Sequence, residues 1–128
     1  MGRNTFETVI GFDMSWPYAN SVFVLSKSLK NIPKELSEKV DLVSGPVDQA
    51  LEKIHNAGFT RLYIDGGIVI QRYLEKDLID EMIITKIPIL LGGGVPLFGP
   101  LENQLEYEHI GTEVLFDEIV KYHYQRKR

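Results

Sequence analysis

No cysteine occurs among the 128 residues. That absence removes a disulfide framework, a thiolate metal site and a cysteine nucleophile together. Positive charge is not in excess either: 14 Lys and Arg stand against 18 Asp and Glu, a formal net charge of −4. A nucleic-acid binder that relies on broad phosphate neutralisation is therefore not expected. Every apolar run is far too short for a membrane span, and no secretory leader pattern is present, so the cytoplasm is the expected compartment. The histidines, His55, His109 and His123, lie scattered without ligand spacing, and no metal site is expected from them. No Gly-x-Ser-x-Gly elbow, Walker lysine or Gly-x-Gly-x-x-Gly fingerprint occurs, which leaves those enzyme classes unsupported.

What is present is a globular composition, 44% hydrophobic and 25% charged, on a chain long enough for one domain with a real core. Glycine clusters punctuate it. The middle one, Arg61 to Ile70, reads as a short apolar strand (Leu62 to Ile64), then Gly66-Gly67, then an apolar pattern at helical spacing. Such a junction brings bare backbone N–H groups close to a phosphate, because glycine lacks a Cβ and a helix start leaves donors unpaired. An ordinary tight turn would have the same pattern.

Taken in order, Asn4 or Thr5 caps a first helix, with Glu7 three positions after Asn4 as in a capping box, and Gly11 ends it. Trp16-Pro17-Tyr18 lies in a loop. Ser21 to Leu25 and Val40 to Val43 are strands, separated by an irregular stretch from Asn31 to Lys39. Pro46, preceded by Ser44-Gly45, suits the first position of a helix whose apolar residues Val47, Ala50, Leu51, Ile54 and Ala57 keep the 3.6-residue period, with Gly58 at C′. Arg61 to Ile64 is the third strand, and the helix after it runs to about Leu78 or Ile79. Met82 to Leu91 is the longest strand candidate, with an edge, bulge or bend at Pro88. Leu105 to His109 and Ile119 to Tyr124 form a closing hairpin joined through Gly111 to Asp117, and Arg126-Lys127-Arg128 is a basic tail expected to be disordered.

Helices between strands imply right-handed crossovers and an α/β fold with a mostly parallel sheet, to which the C-terminal antiparallel hairpin is added. Ligands of such sheets sit beyond the carboxyl ends of the strands. Ser26-Lys27, Ser44-Gly45, Gly66-Gly67 and Gly92 to Gly94 all fall there, and that coincidence marks a binding site.

Met1 to Glu7, the strand end Leu25-Ser26-Lys27, Tyr63 to Gly67, Leu78 to Glu81 and Ile87 to Phe98 occur in one order along the chain. Together these segments resemble the dihydrofolate reductase-like family, in particular the C-terminal reductase domain of the riboflavin-biosynthesis deaminase–reductase. The resemblance implies a single domain over 1–128 with a three-layer αβα architecture, NADPH as hydride donor and a small pyrimidine- or pterin-like substrate. It implies that Gly2, Arg3, Asn4 and Thr5 meet the cofactor phosphates, with Arg3 offering a planar fork. Ser26 and Lys27 would receive the 2′-phosphate, with Leu25 before them also at the cofactor, Ser44 and Gly45 would lie near the adenine, and Gly66, Gly67, Ile68 and Val69 would wrap the pyrophosphate and nicotinamide ribose. The glycine pair would carry a cis peptide. Glu81 and Gly92, Gly93 and Gly94 would border the substrate pocket, although Asp80-Glu81 also reads as a solvated junction.

Members of the family carry a strand, a helix and a second strand before the Met-Gly-Arg motif, and their proton-managing carboxylate usually comes from that part. The chain is therefore expected to be N-terminally incomplete, with no catalytic residue assigned and a homodimer anticipated. The competing readings are a non-catalytic NADPH-binding or dimeric module of the same fold, and a true dihydrofolate reductase.

Overall fold

The computed structural model describes residues 1–128. Its elements are α1 (Arg3–Ile10), β1 (Val22–Leu25), a 3-10 turn (Lys34–Leu36), β2 (Val40–Val43), α2 (Val47–Asn56), α3 (Gly67–Glu75), β3 (Glu81–Lys86), β4 (Tyr107–Leu115) and β5 (Ile119–Arg126). The chain divides into two compact units, Met1–Arg72 and Tyr73–Arg128, and the sheets divide with it. β1 and β2 form a parallel pair, while β3, β5 and β4 form an antiparallel sheet in that order. The expectation of a mostly parallel sheet is corrected accordingly: β3 runs antiparallel to β5, from Glu81 opposite Gln125 to Lys86 opposite Val120.

In the first unit, both faces of the β1–β2 pair are apolar, and alternation along each strand decides what covers which. Val22 and Val24 share a cluster with Val40, Leu36 and the buried Phe6 of α1. Phe23 and Leu25 pack with Val43 and with Ala50 and Ile54 of α2. The period expected for α2 is thus the face it buries. Its C-terminus closes as expected too: Gly58, at φ +99°, donates to His55 O at 2.9 Å, and Phe59 N donates to Ile54 O at 3.3 Å, the paired bonds of a Schellman motif. Phe59 then lies edge-on to Phe23, ring centroids 5.3 Å apart. At the other end Pro46 is the N-cap rather than the first helical residue, so α2 begins one place later than expected, and the Pro46 carbonyl accepts the amide of Ala50.

Several boundaries move for identifiable reasons. Neither Asn4 nor Thr5 caps α1. Gly2 occupies the cap with no side-chain bond, because a parallel bridge to Leu25 ties the chain there and it turns straight into the helix. Glu7 accepts a bond from the Arg3 side chain, four residues before it, instead of closing a capping box. Arg61 to Ile64 is not a strand: Leu62 packs on the α2 cluster and Tyr63 is 91% exposed. The segment alternates as a strand would, but no neighbouring backbone completes a ladder with it. α3 stops at Glu75 rather than Leu78, where Asp77 takes the left-handed conformation (φ 52°) and Leu78 N donates to Tyr73 O. Aspartate tolerates this position better than most residues.

β3 ends at Lys86, before Pro88, so Ile87 to Leu91 leaves the sheet. A proline there cannot donate to the ladder. β4 continues through Gly111, absorbing the irregularity as a register shift between His109 and Gly111, so the connection to β5 shrinks to three residues. The Gly66–Gly67 peptide is trans; Gly66, at φ +97°, makes the turn by its backbone angle alone.

The basic C-terminus is ordered. The Arg126 guanidinium binds both oxygens of Asp77, at 2.7 and 3.0 Å, and donates to Glu106 O and Lys127 O. Arg128 reaches Asp80 Oδ1 at 2.8 Å and the Asp77 carbonyl at 3.0 Å. Arg126 also lies over the Tyr107 ring, whose hydroxyl donates to Ile79 O.

Candidate functional site

The cofactor candidates named from the sequence all fall in the Met1–Arg72 unit, and backbone contacts link most of them. Leu25 N donates to Met1 O at 2.9 Å and Gly2 bridges to Leu25, which joins the start of α1 to the end of β1. Ser26 N donates to Val43 O at 3.0 Å, which brings the end of β1 beside the end of β2 and hence beside Ser44. Gly45, at φ +107°, completes the turn into α2.

The tightest contact joins the starts of α1 and α3. A Cβ built on Gly66 would stand 2.7 Å from Thr5 Oγ1 and 3.5 Å from the Gly2 amide nitrogen, and one built on Gly2 would stand 2.9 Å from Val69 Cγ2. Both glycines are therefore required by space, and Gly66 by conformation as well. Each lies at a helix start: Gly2 O accepts Phe6 N, and Gly66 O accepts Ile70 N. Two helix N-termini meet at one point, each with first-turn amides that have no intrahelical acceptor. Their partial positive ends add where an anion with two phosphates would find donors from both. Val69 is buried and packs under this junction, while Ile68 and Asn4 are exposed.

The Arg3 side chain turns toward the end of β1. Its Nε donates to Glu7 Oε1 at 2.8 Å, and its NH1 donates to Ser28 Oγ at 2.5 Å. The second bond sets the guanidinium beside the Ser26–Ser28 turn rather than on the glycine junction. That turn is itself fixed, since Ser26 Oγ accepts the amides of Ser28 (3.3 Å) and Leu29 (2.9 Å). Arg3 and the exposed Lys27 thus share one corner with the Ser26 hydroxyl. A guanidinium has five N–H donors, so these two bonds leave further ones for an anion.

Ser28 was missed from the sequence, as was Asp65. The Asp65 carboxylate, one residue before Gly66, accepts a hydrogen bond from Tyr18. Burial, and after it the Asp65 charge and this bond, push the Tyr18 hydroxyl above its ordinary pKa. Tyr18 is held from behind by Trp16, ring centroids 5.0 Å apart, and Trp16 by Phe6 at 5.9 Å. The Trp-Pro-Tyr loop is therefore packed through edge-to-face aromatic contacts, with a phenol–carboxylate pair able to hold a proton beside Gly66. An acid directly before a glycine pair is the signal that would have found it.

The proposed substrate-bordering residues belong to the other unit. Glu81 opens β3, and its carboxylate lies 3.3 Å from His123 Nε2 across the sheet. Gly92, Gly93 and Gly94 form an open loop in which an added Cβ would meet nothing within 4 Å. They are not packed against anything as Gly66 is. No helix of the chain is long and apolar enough to cross a membrane.

Comparison with known proteins adds to this geometry. The family described as the RibD C-terminal domain matches residues 9–121. YwjB of Bacillus subtilis (strain 168), a protein of uncharacterized function, is 30% identical over 128 residues, covering 98% of this chain and 71% of that protein. A crystal structure from Shewanella sp. PV-4, titled as a candidate riboflavin biosynthesis protein, is 50% identical, with a TM-score of 0.96 over all of this chain and 72% of that one. A pyrimidine reductase-like protein from Corynebacterium diphtheriae superposes with a TM-score of 0.63 at 17% identity, over 83% of this chain and 50% of that one. The last likeness shows a shared fold.

Proposed function

This chain belongs to the RibD C-terminal domain family, and on that membership we propose that it is an NADPH-dependent reductase. Its substrate in this reading is a small pyrimidine- or pterin-like molecule, of the kind reduced by 5-amino-6-(5-phosphoribosylamino)uracil reductases. The observation that carries the proposal is the meeting of the α1 and α3 starts at Gly2, Thr5 and Gly66, where side chains are excluded and backbone donors are gathered. A dinucleotide's pyrophosphate fits such a junction in charge and in the room it needs. The corner formed by Arg3, Ser26 and Lys27 fits one further phosphate, which is what separates NADPH from NADH.

When bound, NADPH supplies a hydride to the acceptor carbon. The chain's own part is to hold and to exclude. Gly66 and Gly67 let the backbone approach closely, Thr5 offers a hydroxyl, and buried Val69 fixes the floor. Holding two reactants in a fixed near-attack arrangement removes much of the entropic barrier to such a transfer. In the same proposal the 128 residues form one three-layer reductase domain working in the cytoplasm as a homodimer. The packing of α1 and α2 on opposite faces of β1–β2 supports the layered arrangement.

Titration of the protein with NADPH and NADH, followed by nicotinamide fluorescence, tests the reading. NADPH is expected to bind more tightly, and Arg3→Ala to weaken it by roughly 1–3 kcal/mol through loss of a charge-assisted bond while leaving NADH nearly unchanged. Failure to bind either dinucleotide would remove the proposal. A preference for NADH would remove the role given to Arg3, Ser26 and Lys27. Binding without oxidation on any substrate would leave a cofactor-binding module instead of an enzyme.

A further inference from the structure

The corner shared by Arg3, Ser26 and Lys27 has a hydrogen-bonding polarity that its residue types alone do not dictate. A hydroxyl ordinarily serves both ways, with one proton to donate and two lone pairs to accept with. At Ser26 both lone pairs are engaged, since Oγ accepts the amide of Leu29 at 2.9 Å and that of Ser28 at 3.3 Å. Only its proton is left to offer. Ser28, the residue this turn holds in place, accepts NH1 of Arg3 at 2.5 Å. That charge-assisted bond makes Ser28 Oγ an acceptor toward the guanidinium, so its own proton points to another partner. Arg3 uses Nε on Glu7 and NH1 on Ser28, which leaves NH2 unengaged. Lys27 is exposed, and an ammonium has three donors and no acceptor.

We infer that Ser28 is a specificity-determining residue of this corner: it holds the Arg3 guanidinium and donates its own hydroxyl proton to the same phosphomonoester dianion. The inference rests on the NADPH reading above. It adds a residue to that site and a reason for its selectivity. The protein uses the acceptors of Ser26 and Ser28 internally, so what faces outward is a set of donors. A phosphomonoester dianion is acceptor-only, with three strong acceptor oxygens, and matches such a set. A ribose hydroxyl does not, because it brings a proton that these four side chains have no free lone pair to receive. Glu7, one turn further along α1, is engaged with Arg3 Nε and anchors the guanidinium from the other side. A guanidinium held at two nitrogens loses less freedom on binding an anion than a free one does. Both tasks of Ser28 need the hydroxyl. Alanine performs neither, and aspartate accepts from Arg3 but has no proton to give and repels the phosphate.

Dissociation constants for NADPH and NADH, measured on the wild type and on Ser28 variants, provide the test. Ser28→Ala is expected to weaken NADPH roughly 10-fold and to move NADH by no more than about twofold. Ser28→Thr, which keeps the hydroxyl, should restore NADPH to within about threefold of the wild type. Ser28→Asp should abolish the preference for NADPH altogether. Ser28 is exposed and outside the core clusters, and unchanged melting temperatures will establish that each variant is folded. A wild type that binds neither dinucleotide, or does not prefer NADPH, would overturn the reading on which the inference rests. A wild type that prefers NADPH, with the preference kept in Ser28→Ala or in Ser28→Asp, would overturn the role of Ser28 alone. Combination with Arg3→Ala separates the two tasks. In that background Ser28→Ala should still weaken NADPH at least ~3-fold, through the lost donor. No further loss there would show Ser28 acting only through Arg3 and would overturn the direct donation.

Discussion

The two units are held together by different physics. In Met1–Arg72 the parallel pair is buried on both faces: Phe6, Val24, Val40 and Ala50 are at most 1% exposed, and each touches neighbours from another element. In Tyr73–Arg128 only Tyr73, Leu74 and Ile79 are buried, and none as fully. There the order comes from two long antiparallel ladders, from Tyr122 stacked on Tyr124, and from the knot of Arg126, Asp77, Tyr107 and Arg128. The first unit resembles a domain core and carries the glycine junction. The second resembles a framework whose apolar side chains are still exposed. The comparison teaches that a site needing close backbone approach is built where packing is dense, and that large exposed apolar surface accompanies the looser half.

The largest expected effect breaks this asymmetry at its stronger end. Phe6→Ala deletes a ring at the centre of the first cluster, where Val22, Val24, Leu36 and Val40 cannot all collapse inward. It should cost roughly 3–5 kcal/mol in urea denaturation. A loss under about 1 kcal/mol would mean that the first unit is not held by burial. The next effect is smaller and sharpens the contrast between the glycines. Gly66→Ala must place a Cβ 2.7 Å from Thr5 Oγ1 at a φ of +97°, a strain of roughly 1–3 kcal/mol, and NADPH binding should weaken at least ~10-fold with it. Gly93→Ala, with nothing within 4 Å and no positive φ, should change neither quantity by more than about 0.5 kcal/mol. Equal effects at the two positions would show that the glycine clusters are alike, contrary to their surroundings.

These contrasts also show what could be read from the residues alone. α2 was legible to within one residue, since Pro46, the period of Ala50 and Ile54, and Gly58 all belong to local structure. The start of α3 was legible for the same reason. What stayed hidden depends on contacts distant in sequence. Leu62 to Ile64 has the composition of a strand, but a strand exists only where another backbone runs beside it. Arg126 looked like part of a loose tail because its partner Asp77 lies 49 residues away. In the site, the glycines and the Met-Gly-Arg-Asn-Thr segment could be named in advance. The Arg3–Ser28 bond and the Tyr18–Asp65 pair, each spanning more than twenty residues, could not. The strand through Pro88 was overextended because hydrophobicity continues where the hydrogen-bond ladder cannot.

The smallest effect concerns the knot that stands in for a core in the second unit. The hydrogen bonds from Arg126 outweigh the opposing influence of burial and, with the lesser help of its charge and that of Arg128, hold the Asp77 carboxyl below its ordinary value. The folded state therefore keeps this carboxylate ionised to lower pH than the unfolded chain does. The stabilisation is fully present above the unfolded pKa, near 3.8, and is lost as the pH falls through the lower folded value. Asp77→Asn isolates the charge, because asparagine also accepts the left-handed backbone that Asp77 adopts at φ 52°. At pH 7 the variant should melt below the wild type. The gap should hold down to about pH 5 and close as the pH falls below about 4. Asp77 is 38% exposed, so added salt should narrow the gap as well. Melting curves of the two proteins between pH 7 and pH 2.5 decide the matter. A gap that stays constant across that range would assign Asp77 a purely conformational role at the end of α3, and the second unit would then owe its order to its ladders alone.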